Sequence, residues 1–324
     1  MEQTVMNNSE QTIDQEMPAS APAAEQSNQS CPFPNGDTVT PLLEQLDAAN
    51  KAAIEVYIKR ALARQEEGLP ISPLALAHDG LKLDVDVGKQ VMNNILFSDR
   101  PAINQGDDNN TLITLPEPSE QPTEKFEQLM RRRTSVRDYT DEAVSLAEIS
   151  SLCASTVSAR DRFKTTSSQV IPHAPLAPTG GGLLSIQLYY ISLNTESLSR
   201  GIYKYRADKH ALELVSEGEV RGRIFEITSF QDWIARCAGI FVLVSDLDRV
   251  QWKYEDRAYR LTHMDAGVLG QSLHLAATSI DLGSCMVFGF LDDEMNQLMS
   301  IDGDRQFVSL IMPIGKPIPD YSSL

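Results

Sequence analysis

The sequence predicts an α+β fold preceded by an N-terminal helical extension. Strand-like apolar stretches gather in the second half of the chain with helical patterns between them. The two apolar patterns before residue 98 are both helical, and 324 residues with an ordinary apolar share can bury one sizeable core plus an appendage. No internal repeat interrupts this plan.

Residues 1–36 hold five acids and no Lys or Arg among Gln, Asn, Ser, Ala and Pro, with no apolar period, which predicts a disordered tail. Thr40 as N-cap and Pro41 at the first helical position open a helix, with Leu43, Leu46, Ile54, Tyr57, Ile58 and Leu62 at helical spacing. Gly68 and Pro70 stop it. A weaker helical pattern covers about Val85 to Phe97, and polar Asn104 to Asn110 reads as a loop. A helix from Glu124 reaches Arg132, and Ser145 with Glu148 makes a capping box before Ile149 and Leu152. Strands are expected at Ile186 to Leu193, Ile202 to Tyr205, Leu212 to Val215, Ile240 to Ser245, Met286 to Phe290 and Phe307 to Ile314. The longest helix, about Ala258 to Ile280, turns Leu261, Val268, Leu269, Leu273, Ala276 and Ala277 to one face, with Gly283 after its end. The resulting division is a tail (1–36), a helical extension (37–116), a catalytic domain (117–318) and a C-terminal tail (319–324).

A formal charge of −17 excludes a global nucleic-acid-binding face, which needs cations to neutralise phosphate. Cys31, Cys153, Cys237 and Cys285 have neither metal-ligand spacing nor the density of a disulfide scaffold, which suits a reducing cytoplasm. The apolar runs fall short of the roughly 20 residues that a spanning helix needs, and the N-terminus lacks signal-peptide regions. The expectation is a cytoplasmic protein without a membrane or nucleic-acid partner.

Three elements could hold a phosphorylated cofactor. Arg131 to Arg137 reads Arg-Arg-Arg-Thr-Ser-Val-Arg, gathering cations and hydroxyl donors; taken alone, cations at a helix end equally suit its C-terminal dipole. Pro178-Thr179-Gly180-Gly181-Gly182 frees the backbone for close approach to a planar ligand, or is simply a flexible loop. Met312 to Pro317 ends a strand with Lys316, either an anion ligand or an exposed terminal charge.

In this order the elements resemble the nitroreductase superfamily, and more closely its SagB/ThcOx branch, the azoline dehydrogenases that modify ribosomal peptides. The likeness runs from His78-Asp79-Gly80-Leu81-Lys82-Leu83 and Leu115-Pro116 through Arg133-Thr134-Ser135-Val136-Arg137, Gly201-Ile202-Tyr203-Lys204-Tyr205 and Ala211-Leu212-Glu213-Leu214. It continues through Ala258-Tyr259-Arg260, Leu282-Gly283-Ser284-Cys285, Gly289-Phe290 and Asp292 to Lys316. The resemblance implies a nitroreductase-like fold with a central mixed, mainly antiparallel sheet, and an FMN-binding homodimer with the flavin between subunits. By the same carry-over, Arg133, Thr134, Ser135 and Arg137 meet the phosphate and ribityl chain and Lys316 lies near the phosphate. Pro178, Thr179, Gly180 and Gly181 line the ring, and the Phe288 and Gly289 backbone meets its other polar edge. The chain departs from the pattern at Thr179 in place of Ser, at Leu184-Ser185 in place of Tyr-Pro, and at Met286-Val287-Phe288 in place of Pro-Val-Gly.

Trp252 to Arg260 carries the adjacent pair Lys253-Tyr254, which the azoline-oxidising branch also carries here. Azoline oxidation removes a proton from one ring carbon and a hydride from its neighbour, so a base must stand beside the flavin. A desolvated Lys and a Tyr beside an ammonium can both serve, and they would titrate as a pair. The expected activity is FMN-dependent conversion of peptide thiazolines or oxazolines to thiazoles or oxazoles, on a precursor peptide already cyclised by a partner cyclodehydratase. The extension before residue 116 is a candidate docking element for that peptide or partner. The alternatives are an NAD(P)H-dependent nitro- or quinone-type reductase, and a flavin-holding scaffold subunit. His263 and His274, 11 residues apart, read as packing or surface groups, and Asp265, Asp292 and Asp293 as solvent-facing or capping groups; no metal is expected.

Overall fold

The structure, a computed structural model, describes residues 48–82, 85–98, 106–107, 109–118, 124–157, 163–164, 170–171 and 176–319. The expected tail, the helix start at Thr40, Cys31 and residues 320–324 lie outside them. The chain divides into two compact units, Met1–Pro70 and Ile71–Leu324.

In the first unit, helix α1 spans Ala48–Glu66 and ends where Gly68 takes the left-handed φ of 66°. The Arg64 Nε donates to the Pro70 carbonyl at 2.7 Å across that turn.

The second unit opens with α2 (Pro73–Gly80), whose N-cap Ser72 accepts from the Ala75 N–H at 3.1 Å. Pro73 at its first position, with Ser72 before it, is a start signal for this helix, which the apolar period alone does not mark. Then come α3 (Val85–Phe97), β1 (Leu112–Thr114), α4 (Phe126–Arg132) and α5 (Leu146–Val157). The capping box forms as the spacing requires: the Ser145 N–H and hydroxyl donate to Glu148 at 2.8 and 2.9 Å, and the Glu148 N–H donates to Ser145 Oγ at 3.2 Å. A separate two-stranded ribbon pairs β2 (Phe163–Lys164) with β3 (Val170–Ile171).

The core is a seven-stranded sheet of order β1-β6-β5-β4-β7-β9-β8. Its remaining strands are β4 (Ile186–Ser192), β5 (Gly201–Arg206), β6 (Ala211–Glu217), β7 (Gly239–Asp246), β8 (Gly283–Ser284) and β9 (Gln306–Gly315). Every pairing between its strands is antiparallel; parallel contacts occur as isolated bridges, Ser135 to Ser284 and Val144 to Thr195. β4 and β7 are buried along their whole length, so their alternating side chains feed two cores. Leu188, Tyr190 and Leu243 pack with α5 and with α9 (Arg257–Ser279), through Ile149, Leu152, Leu269 and Leu273. Tyr189, Ile191 and Val242 face α6 (Arg221–Ile227), α7 (Asp232–Arg236) and α10 (Asp292–Leu298). A four-residue helix, α8 (Gln251–Tyr254), precedes α9.

Three expectations need correction. Met286 to Phe290 is not a strand: β8 occupies Gly283–Ser284, and the ladder to β9 resumes only as a bridge from Val287 to Ile311. The interruption falls opposite Pro313, which has no N–H to give Cys285. Val268 lies on the exposed side of α9, whose buried face instead includes Thr262, Asp265, Gly270 and His274. The left-handed residue after α9 is Asp281 (φ 59°), while Gly283 is fixed by packing, since a Cβ there would meet Val136 Cγ1 at 2.7 Å. Within residues 37–116, β1 is an edge strand paired to β6.

Lys316 at the end of β9 pairs with Glu148. Burial would raise the Glu148 carboxyl, but Lys316 and the Ser145 N–H and hydroxyl outweigh it and hold it below its usual 4.5. A carboxylate so depressed contributes stability that is fully present above the unfolded pKa and is lost as pH falls through the lower folded one. Glu148→Gln should therefore lose less melting temperature on acidification below that value than the parent chain. Parallel melting curves would remove this group from acid stability.

Candidate active site

The glycine loop enters β4 as a single 3₁₀ turn, Gly180–Gly182, with Gly181 at φ 61° and Gly182 at φ 68°. Its anchor is Asp265, buried on α9, which accepts the Gly180 N–H at 2.9 and 3.1 Å and the Ser185 hydroxyl at 2.5 Å. Asp265 is thus neither solvent-facing nor a helix cap, but the clamp that holds the loop to the long helix. Ser185, one of the departures from the family pattern, is that clamp's second donor. Thr179 Oγ1 accepts the Leu184 N–H at 3.1 Å and its carbonyl accepts the Gly182 N–H at 3.0 Å, which leaves the Gly181 N–H as the loop donor with no partner among the described residues.

α8 carries Lys253 and Tyr254 onto this loop. A Cβ at Gly181 would lie 2.6 Å from Tyr254 Oη and 2.9 Å from Lys253 Nζ, so both polar ends rest directly on the glycine. Lys253 Nζ stands 5.0 Å from the Tyr254 ring centroid. Both side chains are half-buried. A Cβ at Gly180 would strike Leu261 of α9 at 2.6 Å. A Cβ at either position would make these side chains shift, and the pair and the loop form one cluster.

Gly181→Ala should keep the fold but reduce turnover at least tenfold, since its left-handed φ costs an L-residue roughly 1–2 kcal/mol and the methyl displaces Tyr254 Oη. Steady-state rates and flavin-to-protein ratio check this; an unchanged rate would remove the loop from the site.

The basic segment forms a second cluster. Residues 133–137 run beside β8, with the Val136 N–H donating to the Ser284 carbonyl at 3.0 Å and Ser135 bridging Ser284. Burial pushes the Cys285 thiol up, and Arg137, Ser135 and Arg133, all in its neighbourhood, pull it part of the way back. Arg137 also stands 5.9 Å from the Trp233 ring centroid. The neighbouring Arg131 and Arg132 are spoken for, by Glu127 and by Glu124 with Asp281; Arg133 forms no ion pair among the described residues. His274, buried and thereby lowered in pKa, contacts the Thr134 carbonyl at 3.0 Å as an ordinary packing group. Phe288 and Gly289 are exposed beyond β8, and Lys316 is turned to Glu148.

α9 touches the glycine loop through Leu261 and Asp265 and the basic segment through His274 and Thr278. Leu261 and His274 are 13 residues apart, about 20 Å along a helix. One chain therefore presents the two clusters towards opposite ends of α9. Among the described residues no three His, Cys, Asp or Glu groups are placed to hold a metal, and no helix is long and apolar enough to cross a membrane.

The family model of nitroreductases matches residues 130–316, more than half of the chain, and takes in both clusters. The chain belongs to the nitroreductase family. Membership makes it a flavin-dependent oxidoreductase, and the sheet with its flanking helices is the nitroreductase fold. MJ1384 of Methanocaldococcus jannaschii, named as a nitroreductase, is 27% identical over 196 residues, 60% of this chain and 92% of that protein. A Ralstonia eutropha structure assigned by name to the nitroreductases superposes with a TM-score of 0.54 at 21% identity, covering 67% of this chain and 93% of that one. An Anabaena variabilis structure, similarly named, gives a TM-score of 0.53 at 24% identity over 69% of this chain, which spans less than half (46%) of that longer protein. At these identities the two structures speak to the fold.

The residues present fit a flavin on two counts. The glycine cradle, which any Cβ would fill, leaves a flat approach and an uncommitted N–H, as a planar ring requires. Arg133, Ser135 and Arg137 offer cationic and hydroxyl donors on one short segment beside β8, as a phosphate requires.

Proposed function

We propose that this chain uses FMN to oxidise thiazolines or oxazolines in a ribosomal precursor peptide to thiazoles or oxazoles. The observation that carries the reading is the contact of Lys253 and Tyr254 with Gly181. A nitroreductase-family glycine loop is where a flavin ring is approached, and two proton-accepting side chains resting on it are what a dehydrogenation needs beyond the flavin itself.

In this reading Arg133, Thr134, Ser135, Arg137 and Lys316 hold the phosphate and ribityl chain, the last by exchanging Glu148 for the anion. Pro178, Thr179, Gly180 and Gly181 line the ring, with the Phe288 and Gly289 backbone at its far edge. Bound FMN supplies the acceptor for the hydride. Lys253 Nζ or Tyr254 Oη, both beside Gly181, takes the proton from the neighbouring ring carbon. The separation of the two clusters along α9 supports a homodimer in which the basic segment of one copy serves the glycine loop of the other. A cyclodehydratase delivers the azoline-bearing peptide, and the electrons pass to oxygen or another acceptor.

Mass spectrometry of an azoline peptide incubated with FMN-loaded protein tests this: each oxidised ring loses two hydrogens without added nicotinamide. Flavin bleaching by NAD(P)H together with untouched azolines would replace the reading by a reductase.

A further inference from the structure

Helix α3 has an unusual distribution of side chains. Val85, Met92, Leu96 and Phe97 are exposed, and its one buried residue among those described is polar, Asn94 at 6% exposure. A helix that contributed to stability through its apolar face would bury the opposite set. The amide of Asn94 is held at both ends: Gln90 Nε2 donates to its Oδ1 at 3.0 Å, and its Nδ2 donates to Glu255 Oε1 at 2.6 Å. Glu255 is the residue immediately after Lys253 and Tyr254.

The backbone of Glu255 is the joint between α8 and α9. Its N–H closes α8 on the Gln251 carbonyl at 2.9 Å, and its carbonyl accepts the Ala258 N–H of α9 at 2.9 Å. Its φ of 50° and ψ of −141° form a conformation that favours glycine, and here a Glu is held in it. Such strain persists only where surrounding contacts over-determine it, and it concentrates at functional sites. The Asn94 bond is a contact of that kind, made by the side chain of the strained residue. Two further bonds dock the chain before α3 on the start of α9: Arg257 Nη1 to the Leu81 carbonyl at 2.8 Å, and Arg260 Nη2 with His78 Nδ1 at 3.2 Å.

We propose that α3 is a positioning element for the Lys253–Tyr254 pair, and that Asn94, through its hydrogen bond to Glu255, is the positioning residue. The proposal rests on the reading of that pair as the proton acceptor. It assigns to this part of the chain a task separate from partner docking: fixing the turn that presses both side chains on Gly181.

The test uses the full-length, flavin-loaded protein with Asn94→Ala, Asn94→Asp and Glu255→Gln, read by azoline turnover and by amide hydrogen exchange. For Asn94→Ala the expectation is a roughly 10–100-fold fall in kcat, with KM and flavin content near those of the parent. Amide exchange over residues 251–256 should quicken while that of β4 and β7 stays slow. Glu255→Gln keeps an acceptor for Asn94 and should retain most of the parental rate. Asn94→Asp sets two carboxylates together, so its rate relative to the parent should recover as pH falls and one of them regains a donor proton. Parental kcat and parental exchange in Asn94→Ala would overturn the proposal, as would a Glu255→Gln variant as slow as Asn94→Ala. If the parent chain oxidises no azoline, the function fails separately, and the exchange measurement still decides whether Asn94 holds the turn.

Discussion

Replacing Lys253 with Ala and Tyr254 with Phe in one chain is expected to lower azoline oxidation by roughly 10²–10⁴-fold, the range over which a positioned general base contributes, while flavin remains bound. The two side chains touch Gly181 from α8 and hold up no part of either large core, so the fold has little to lose. The single variants discriminate between the two candidates. If Lys253 is the base, Lys253→Ala approaches the double variant and Tyr254→Phe retains most of the rate; if Tyr254 is the base, the order reverses. Because the groups lie close together, the two losses should not add. Rapid-mixing measurement of flavin bleaching by an azoline peptide reads the step directly. A double variant that bleaches at the parental rate would leave the pair without a part in chemistry.

Asp265→Ala is expected to cost about 3 kcal/mol of stability, the scale of losing a charge-assisted hydrogen bond and leaving a buried donor unpaired. The carboxylate is 7% exposed and takes the Gly180 N–H and the Ser185 hydroxyl; alanine offers no acceptor. For a unit of this size that corresponds to a fall in melting temperature of about 6–12 °C. Asp265→Asn keeps one acceptor oxygen and should recover part of it. Turnover should fall in both variants, because the loop that Asp265 clamps is the surface on which Lys253 and Tyr254 rest. Calorimetry and flavin retention measured on the same samples check this, and a parental melting temperature in Asp265→Ala would show that the loop is held by other means.

Much of the architecture was legible because it depends on local rules. The capping box at Ser145 and Glu148 is a four-residue signal and forms as spaced, and the span of α9 was readable to a residue or so from its apolar period. β4, β5, β7 and β9 announce themselves as short apolar runs. The misreadings arise where a distant partner decides. Met286 to Phe290 looks like a strand by composition, but its ladder depends on Pro313, more than 20 residues away in sequence, having no proton to donate. Asp265 looks like a surface acid on a helix, yet its partners, Gly180 and Ser185, lie 80 or more residues earlier. Asn94 carried no signal, since a single Asn in a weak helix is unremarkable until Glu255 is found opposite it.

The sequence by itself determined the α+β class, the chain order of the basic segment, the glycine loop and the Lys-Tyr pair, and the family resemblance those motifs carry; each is written in neighbouring residues and can be read without knowing what folds against what. Only the tertiary structure decided that Gly181 lies under Lys253 and Tyr254, that Asp265 clamps the loop, and that the basic segment stands at the other end of α9. Those facts are distances between segments far apart in the chain, and they are set by how a sheet and a long helix pack, which no local pattern encodes.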